Sequence, residues 1–268
     1  MANLSWTPEA AQSIRYFANT GGHMPQSLLD KLRGTFTRAQ PFLMYGLTEA
    51  FRSTYLPPAD VDRKPGSIGK AIPNAEVLVL RDDGSECLAN EIGELVHRGP
   101  LVSLGYWNDR ARTAERFKPL PPRASGLVFE ELAVWSGDSA RRDDEGYLYF
   151  VGRQDEMIKT SGYRVSPTEI EEIAYRSGEV EEAVALGIAH PTLGQAIVLL
   201  ASNHSKDQSR VQAELSASLL QHCRRELPSF MVPQAIISSD QPLPRNPNGK
   251  FDRKLLAERY GDHFRPAP

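Results

Sequence analysis

The stretch Gly146–Glu171, GYLYFVGRQDEMIKTSGYRVSPTEIE, passes from an aromatic, β-branched run through a polar joint into a helix opening. Tyr147 to Val151 follows the turn signal Asp143-Asp144-Glu145-Gly146 and reads as a strand. Gly152-Arg153-Gln154-Asp155-Glu156 then carries four polar side chains in five positions, the composition of a solvated connection between two folded bodies. Ser166-Pro167-Thr168-Glu169 opens a helix. Ser166 is placed to cap it, Pro167 suits the first helical position and Glu169 completes a capping box. The pattern predicts a domain boundary near Asp155.

Composition narrows the class of protein. With 268 residues, 40% hydrophobic and 24% charged, the chain has the balance of a soluble protein of one large or two ordinary domains. A net charge of -3 without a long basic run gives no footprint for nucleic acid. The longest apolar run, Ala196 to Ala201, is too short to span a bilayer, and the start of the chain lacks a basic-then-apolar export signal, so a cytoplasmic location is expected. Cys87 and Cys223 are therefore read as two reduced thiols. The six histidines are scattered, with no zinc-binding spacing, and His222 is read as helix surface.

Residues 1–55 read as a piece of an α/β unit, with strands at Ile14–Ala18 and Pro41–Tyr45, a turn at Asn19–Gly22 and a helix at Pro25–Leu32. From residue 56 to 154 short strands such as Glu76–Arg81 and Glu94–His97 alternate with breakers, the pattern of a small β-barrel or sandwich. Residues 155–268 form a small α+β module. Its predicted order is helix (Pro167–Ser177), strands (Ala183–Ala189, Gln195–Ala201), helix (Gln208–Leu227), strand (Gln234–Ser238) and helix (Asp252–Tyr260). Val211, Leu215, Leu219 and Leu220 share a face of the long helix, as core packing requires. Pro119–Pro122 and Arg265–Pro268 are read as loop and terminus.

Five stretches in order, Tyr45-Gly-Leu-Thr-Glu49, Gly93-Glu-Leu-Val-His-Arg-Gly-Pro100 with Gly105-Tyr-Trp-Asn108, Ser136-Gly-Asp138, Gly146–Glu171 and Pro244-Arg-Asn-Pro-Asn-Gly-Lys250, together resemble the adenylate-forming ligases. That family comprises acyl-CoA synthetases, luciferases and peptide-synthetase adenylation domains. Within it, the chain is also similar to the exosortase-associated acyl-CoA ligases. Family members carry, in their first half, a Ser/Thr/Gly-rich loop ending in Lys-Gly that embraces the ATP phosphates. Nothing in this chain resembles it, since Gly66-Ser-Ile-Gly69-Lys70-Ala71 lacks the spacing. The resemblance is thus to the C-terminal half of such an enzyme, an incomplete ligase fold made of the end of the large domain and the mobile small domain.

The resemblance implies activation of a carboxylic acid with ATP to acyl-AMP, then transfer to coenzyme A, with Mg²⁺ accompanying the nucleotide. It implies adenine stacking for Tyr45, a hydrogen bond to the α-phosphate for Thr48 and Mg²⁺ binding for Glu49. Asp138 and Arg153 would hold the ribose, and Gly22, His23 and Met24 would flank adenine and the acyl group, although His23 replaces a small residue. Asp155 would be the hinge, Gly162 the close-approach glycine of the thiol-side loop and Arg164 a phosphate contact there. Lys250 would be the catalytic lysine, on a loop where Asn246-Pro247 departs from the usual Thr. Read alone, each motif is an ordinary turn, strand end or surface lysine. A non-catalytic fragment lacking the phosphate loop, or an adenylation domain serving a carrier-protein thiol, shares every one of these residues.

Overall fold

The computed structural model describes residues 4–19, 22–120, 132–203 and 212–264. Thr20-Gly21 of the predicted turn, Pro121-Pro122, residues 208–211 of the predicted helix (Val211 among them) and the tail Arg265–Pro268 lie outside the described residues. The chain divides into two units, residues 1–24 with 28–154, and residues 25–27 with 155–268.

In the first unit, α1 (Pro8–Ser13) leads into β1 (Tyr16–Asn19), which lies parallel to β2 (Gln40–Leu47) with α2 (Gln26–Thr35) between them in sequence. Leu29 and Leu32 of α2 bury against Phe17 and Phe36 because they recur at helical spacing. β2 turns at Thr48-Glu49 into β3 (Ala50–Leu56), and β4 (Lys70–Ala71) closes this four-stranded sheet. A second sheet follows, an incomplete barrel whose pairs are all antiparallel. It runs β5 (Glu76–Leu80), β6 (Ile92–Arg98), β8 (Leu132–Arg142), β7 (Phe117–Pro119), with β9 (Leu148–Arg153) also pairing β8 and α3 (Arg110–Arg116) preceding β7.

In the second unit, the hairpin β10 (Ile158–Thr160) and β11 (Tyr163–Val165) joins a sheet containing β12 (Glu182–His190), β13 (Gly194–Ser202) and, parallel to β13, β14 (Ala235–Ser239). Side chains alternate across it. Ala183, Ala185, Ile197, Leu199 and Ala201 meet α4 (Pro167–Arg176) and α5 (Gln212–Glu226) on one face. Val184, Leu186, Val198 and Leu200 meet Leu256 of α6 (Arg253–Tyr260) on the other. Burial on both faces is why Ala196–Ala201 is apolar at every position. In α5 Leu215 and Leu219 are buried and Leu220 half-buried.

Some expectations change. Gly152 and Arg153 belong to β9 rather than to the joint, because Arg153 is the cross-strand partner of Asp138. The exposed joint shrinks to Gln154-Asp155-Glu156. Ser166 and Pro167 take the N-cap and first helical positions, but the buried Ser166 side chain forms no capping bond to the helix. His222 is half-buried and bonds the carbonyl of Ile173 at 3.1 Å, tying α5 to α4. Cys87 and Cys223 are free and buried. Among the described residues, no helix is long and apolar enough to cross a membrane.

One core residue of the first unit is costly. His97 on β6 has 0% exposure, and neither ring nitrogen has a hydrogen-bond partner. Burial therefore holds its pKa down at about 4, against 6.5 for a free imidazole. Between these values the unfolded chain takes a proton that the folded chain refuses, so stability falls as pH drops from 6.5 towards 4. His97→Leu should remove that slope. Chemical denaturation at pH 7 and pH 5 should show wild type losing about 2 kcal/mol more than the variant over this interval. Equal losses would mean that the imidazole is solvated in the folded state.

Candidate functional site

The first unit brings two of the expected residues, Tyr45 and Arg153, onto the carboxylate of a third, Asp138. Asp138 lies in the middle of β8, 6% exposed, not in a turn. Its Oδ2 accepts from the Tyr45 hydroxyl at 2.5 Å, and its Oδ1 meets the Arg153 guanidinium at 3.2 Å. Tyr45 arrives from β2 and Arg153 from the neighbouring β9. Burial first, and the Asp138 charge second, push the Tyr45 phenol well above its usual value, so it remains a donor. Its ring stacks on His97, with centroids 5.8 Å apart and planes at 19°, and tilts against Phe150 at 6.1 Å.

Local backbone irregularity aims these groups. The β6–β8 and β8–β9 registers shift beside Asp138, and the β2–β3 register shifts between Tyr45 and Leu47, the kind of bulge that redirects a side chain. Gly46 sits in the last of these, where a Cβ would lie 2.2 Å from the Arg52 amide nitrogen. Ser136 of the Ser-Gly-Asp run donates to the Leu95 carbonyl at 2.5 Å and accepts from the Asp138 amide at 3.1 Å. Glu94 accepts the Gly137 amide at 2.9 Å. Glu94, Ser136 and His97 lie inside the motifs, yet the resemblance implies no role for them.

Thr48 and Glu49 form the turn that follows Tyr45, with Thr48 exposed and Glu49 half-buried. Tyr106, from the Gly-Tyr-Trp-Asn run, donates its hydroxyl to Glu49 Oε1, while the Ser103 amide bonds the Glu49 carbonyl at 2.8 Å. This anchors the carboxylate by one oxygen. Gly22 and His23 are exposed and Met24 is half-buried against the α2 core. Asn19 ties this loop to β2, donating to the Gly22 carbonyl at 3.3 Å and accepting from the Met44 amide at 2.9 Å. Asn19 and Tyr106 were not singled out from the sequence; their signal is a polar residue at the end of a strand and a tyrosine within a quoted motif.

In the second unit, Asp155 is exposed in the turn that precedes β10. Ser161 and Gly162 form the two-residue turn between β10 and β11, with φ of 50° and 83°. Positive φ at both positions is the demand of a tight hairpin, and a Cβ on Gly162 would meet nothing within 4 Å. Within this chain, the conformation alone accounts for the glycine. Arg164 is exposed and directly opposite the exposed Lys159. Two cations facing each other across a hairpin repel, a cost that an anion would offset.

Lys250 is exposed on the hairpin between β14 and α6. Asn246 Oδ1 accepts from the Asn248 amide at 3.0 Å and the Lys250 amide at 3.1 Å, and Asn246 N donates to the Lys250 carbonyl at 2.8 Å. The residue that departs from the expected Thr is thus the one that shapes the turn, through the side chain to backbone bonding at which Asn excels.

The chain is similar to known proteins. The profile of the AMP-binding enzymes matches residues 2–107, and that of the AMP-binding enzyme C-terminal domain matches residues 169–250. A long-chain-fatty-acid–CoA ligase of Escherichia coli O157:H7 is 33% identical over 241 residues, covering 90% of this chain and 40% of the relative. The solved structure of o-succinylbenzoate CoA synthetase from Bacillus subtilis in complex with its acyl-adenylate intermediate superposes with a TM-score of 0.75 at 27% identity, over 91% of this chain and 46% of that one. The same enzyme with ATP and magnesium ion gives 0.74 at 26%, over 95% and 48%. The chain therefore spans less than half the length of the relatives it matches. Matched in order by the profiles of both parts of one family, it belongs to the AMP-binding, adenylate-forming enzymes.

Proposed function

We propose that this chain is the C-terminal part of an AMP-forming acyl-CoA synthetase, which activates a carboxylic acid with ATP to acyl-adenylate and then passes the acyl group to coenzyme A. The observation that carries this reading is the buried Asp138 carboxylate held by Tyr45 and Arg153. An aspartate carboxylate offers two acceptor oxygens on one rigid fork, the geometry that suits the two neighbouring hydroxyls of one ribose. Arg153 reaches the same sugar, Tyr45 lies against adenine, and Gly22, His23 and Met24 border the base and the acyl group. The named relatives are CoA ligases, which favours coenzyme A over a carrier protein as acceptor.

Thr48 hydrogen-bonds the α-phosphate from its exposed turn. Glu49 fits Mg²⁺, a hard cation that is usually held through one or two carboxylates and completed by substrate phosphates. Tyr106 occupies one of its oxygens, and among the described residues no group of three acidic, His or Cys side chains forms a cage of its own. The ion supplies neutralisation of phosphate charge when bound. Lys250 adds a preorganised ammonium where charge redistributes between substrate carboxylate and α-phosphate. A cytoplasmic setting, where ATP and coenzyme A are at hand, agrees with two free cysteines.

Asp155 begins the second unit, and we assign it the torsional change that lets residues 155–268 serve the two half-reactions in turn, with Gly162, Lys159 and Arg164 acting in the thiol step. Two experiments on the intact enzyme test this. Lys250→Ala should slow acid-dependent pyrophosphate exchange by roughly two to three orders of magnitude, while thioester formation from supplied acyl-adenylate survives. Lys254→Ala, on an exposed helix position, should behave like wild type. Equal loss of both half-reactions in a folded Lys250 variant would make the lysine structural. Asp155→Pro, by fixing φ, should damage one half-reaction far more than the other; a uniform effect would remove the hinge assignment.

A further inference from the structure

Before Lys250, the hairpin is tied to the sheet behind it through a buried carboxylate. Glu182 opens β12 with its side chain 11% exposed, and both its oxygens are used. Oε2 accepts from the Leu243 amide at 2.6 Å, and Oε1 accepts from the Arg245 guanidinium at 2.7 Å. A second nitrogen of that guanidinium donates to the Gly249 carbonyl at 2.9 Å, directly before Lys250. The guanidinium also lies over the Phe251 ring, 4.2 Å from its centroid, and Arg245 and Phe251 are bridge partners across the hairpin. The Asn246 bonds set the internal shape of the turn, but they leave its tilt against the sheet free. Arg245 removes that freedom, because its planar fork has one prong on β12 and the other on the carbonyl that precedes the lysine.

We propose that Glu182 and Arg245 are positioning residues that fix the direction of the Lys250 ammonium for acyl-adenylate formation; this rests on the reading of Lys250 given above. A flexible four-carbon side chain is aimed by its backbone, and a displacement of about 1 Å at the reacting centre can cost on the order of a hundredfold in rate. Glu182 and Arg245 act through Lys250 and touch no substrate.

The test compares Arg245→Met, which keeps the stem and removes the fork, in the intact enzyme with and without Lys250→Ala. Alone, Arg245→Met should lower kcat for pyrophosphate exchange by about ten- to a hundredfold, with KM for ATP and acid and the thioester half-reaction changed by less than about threefold. In the Lys250→Ala background it should cost nothing further, since its effect passes through the missing ammonium. Arg245→Lys, which can hold Glu182 but not Gly249 as well, should show the same split at smaller amplitude and carries the test if the Met variant does not fold. Unchanged exchange, equal loss in both half-reactions, or a further loss in the Lys250→Ala background would each overturn the proposal. If Lys250→Ala alone leaves exchange intact, the reading of the lysine falls and the brace falls with it. If Lys250→Ala slows exchange and the Arg245 variants do not, the brace alone is wrong.

Discussion

A carboxylate placed on a buried strand must be compensated or neutralised, because removing its hydration costs several kcal/mol. Asp138 is compensated from two sheets at once: Tyr45 reaches it from the first, and Arg153 reaches it along the second. The charge therefore joins the parallel β1–β2 layer to the incomplete barrel. The Tyr45 ring is confined in turn by His97 and Phe150, so the donor is oriented before any ligand arrives. His97 contributes shape there without a hydrogen bond of its own, and the acid-side instability it brings is the cost of that packing.

The second unit uses the same physics for a different end. Glu171 is buried on α4, and burial raises its pKa although the Arg253 guanidinium opposes the shift from 2.8 Å. It accepts from the Ala185 amide, while Arg253 also bonds the Ala185 carbonyl and pairs with Glu156, the last residue of the joint. Glu182 does the corresponding work at the opposite end of the Lys250 hairpin. Two buried acids thus hold two arginines, and these arginines stand five residues before and three residues after Lys250.

The sequence revealed the elements that packing dictates and missed those set by register. β12 and β13 were legible because a sheet covered on both faces must be apolar throughout. β3 was not, since Phe51-Arg52-Ser53-Thr54 mixes exposed and buried polar groups and Arg52 turns to a φ of 51°. α3 escaped for a related reason: Arg110–Arg116 buries no residue and is marked only by the Asp109 cap, which accepts from the Arg112 amide at 3.0 Å. The candidate residues Tyr45, Asp138 and Arg153 in the first unit and Lys250 in the second are legible through motif order. The contacts of Asn19 with Gly22 and Met44, of Tyr106 with Glu49 and of Glu182 with Arg245 depend on which strands and loops lie side by side, which the motifs alone do not state.

The division between buried acids and exposed cations also bears on the catalytic cycle proposed for this chain. Lys250, Lys159 and Arg164 are all exposed, so each is hydrated at little cost until an anionic group approaches. A buried cation would need a resident carboxylate, and that partner would compete with the substrate. Exposure avoids the competition but gives up direction, because a solvated side chain samples many rotamers. Direction must then come from the backbone that carries it. The structure supplies this with a strained two-residue turn at Ser161-Gly162 and with an asparagine-shaped turn before Lys250, the second clamped by an arginine whose own charge is absorbed by Glu182. On the proposed reading, an ion pair placed behind the hairpin would orient the ammonium in front of it without neutralising it.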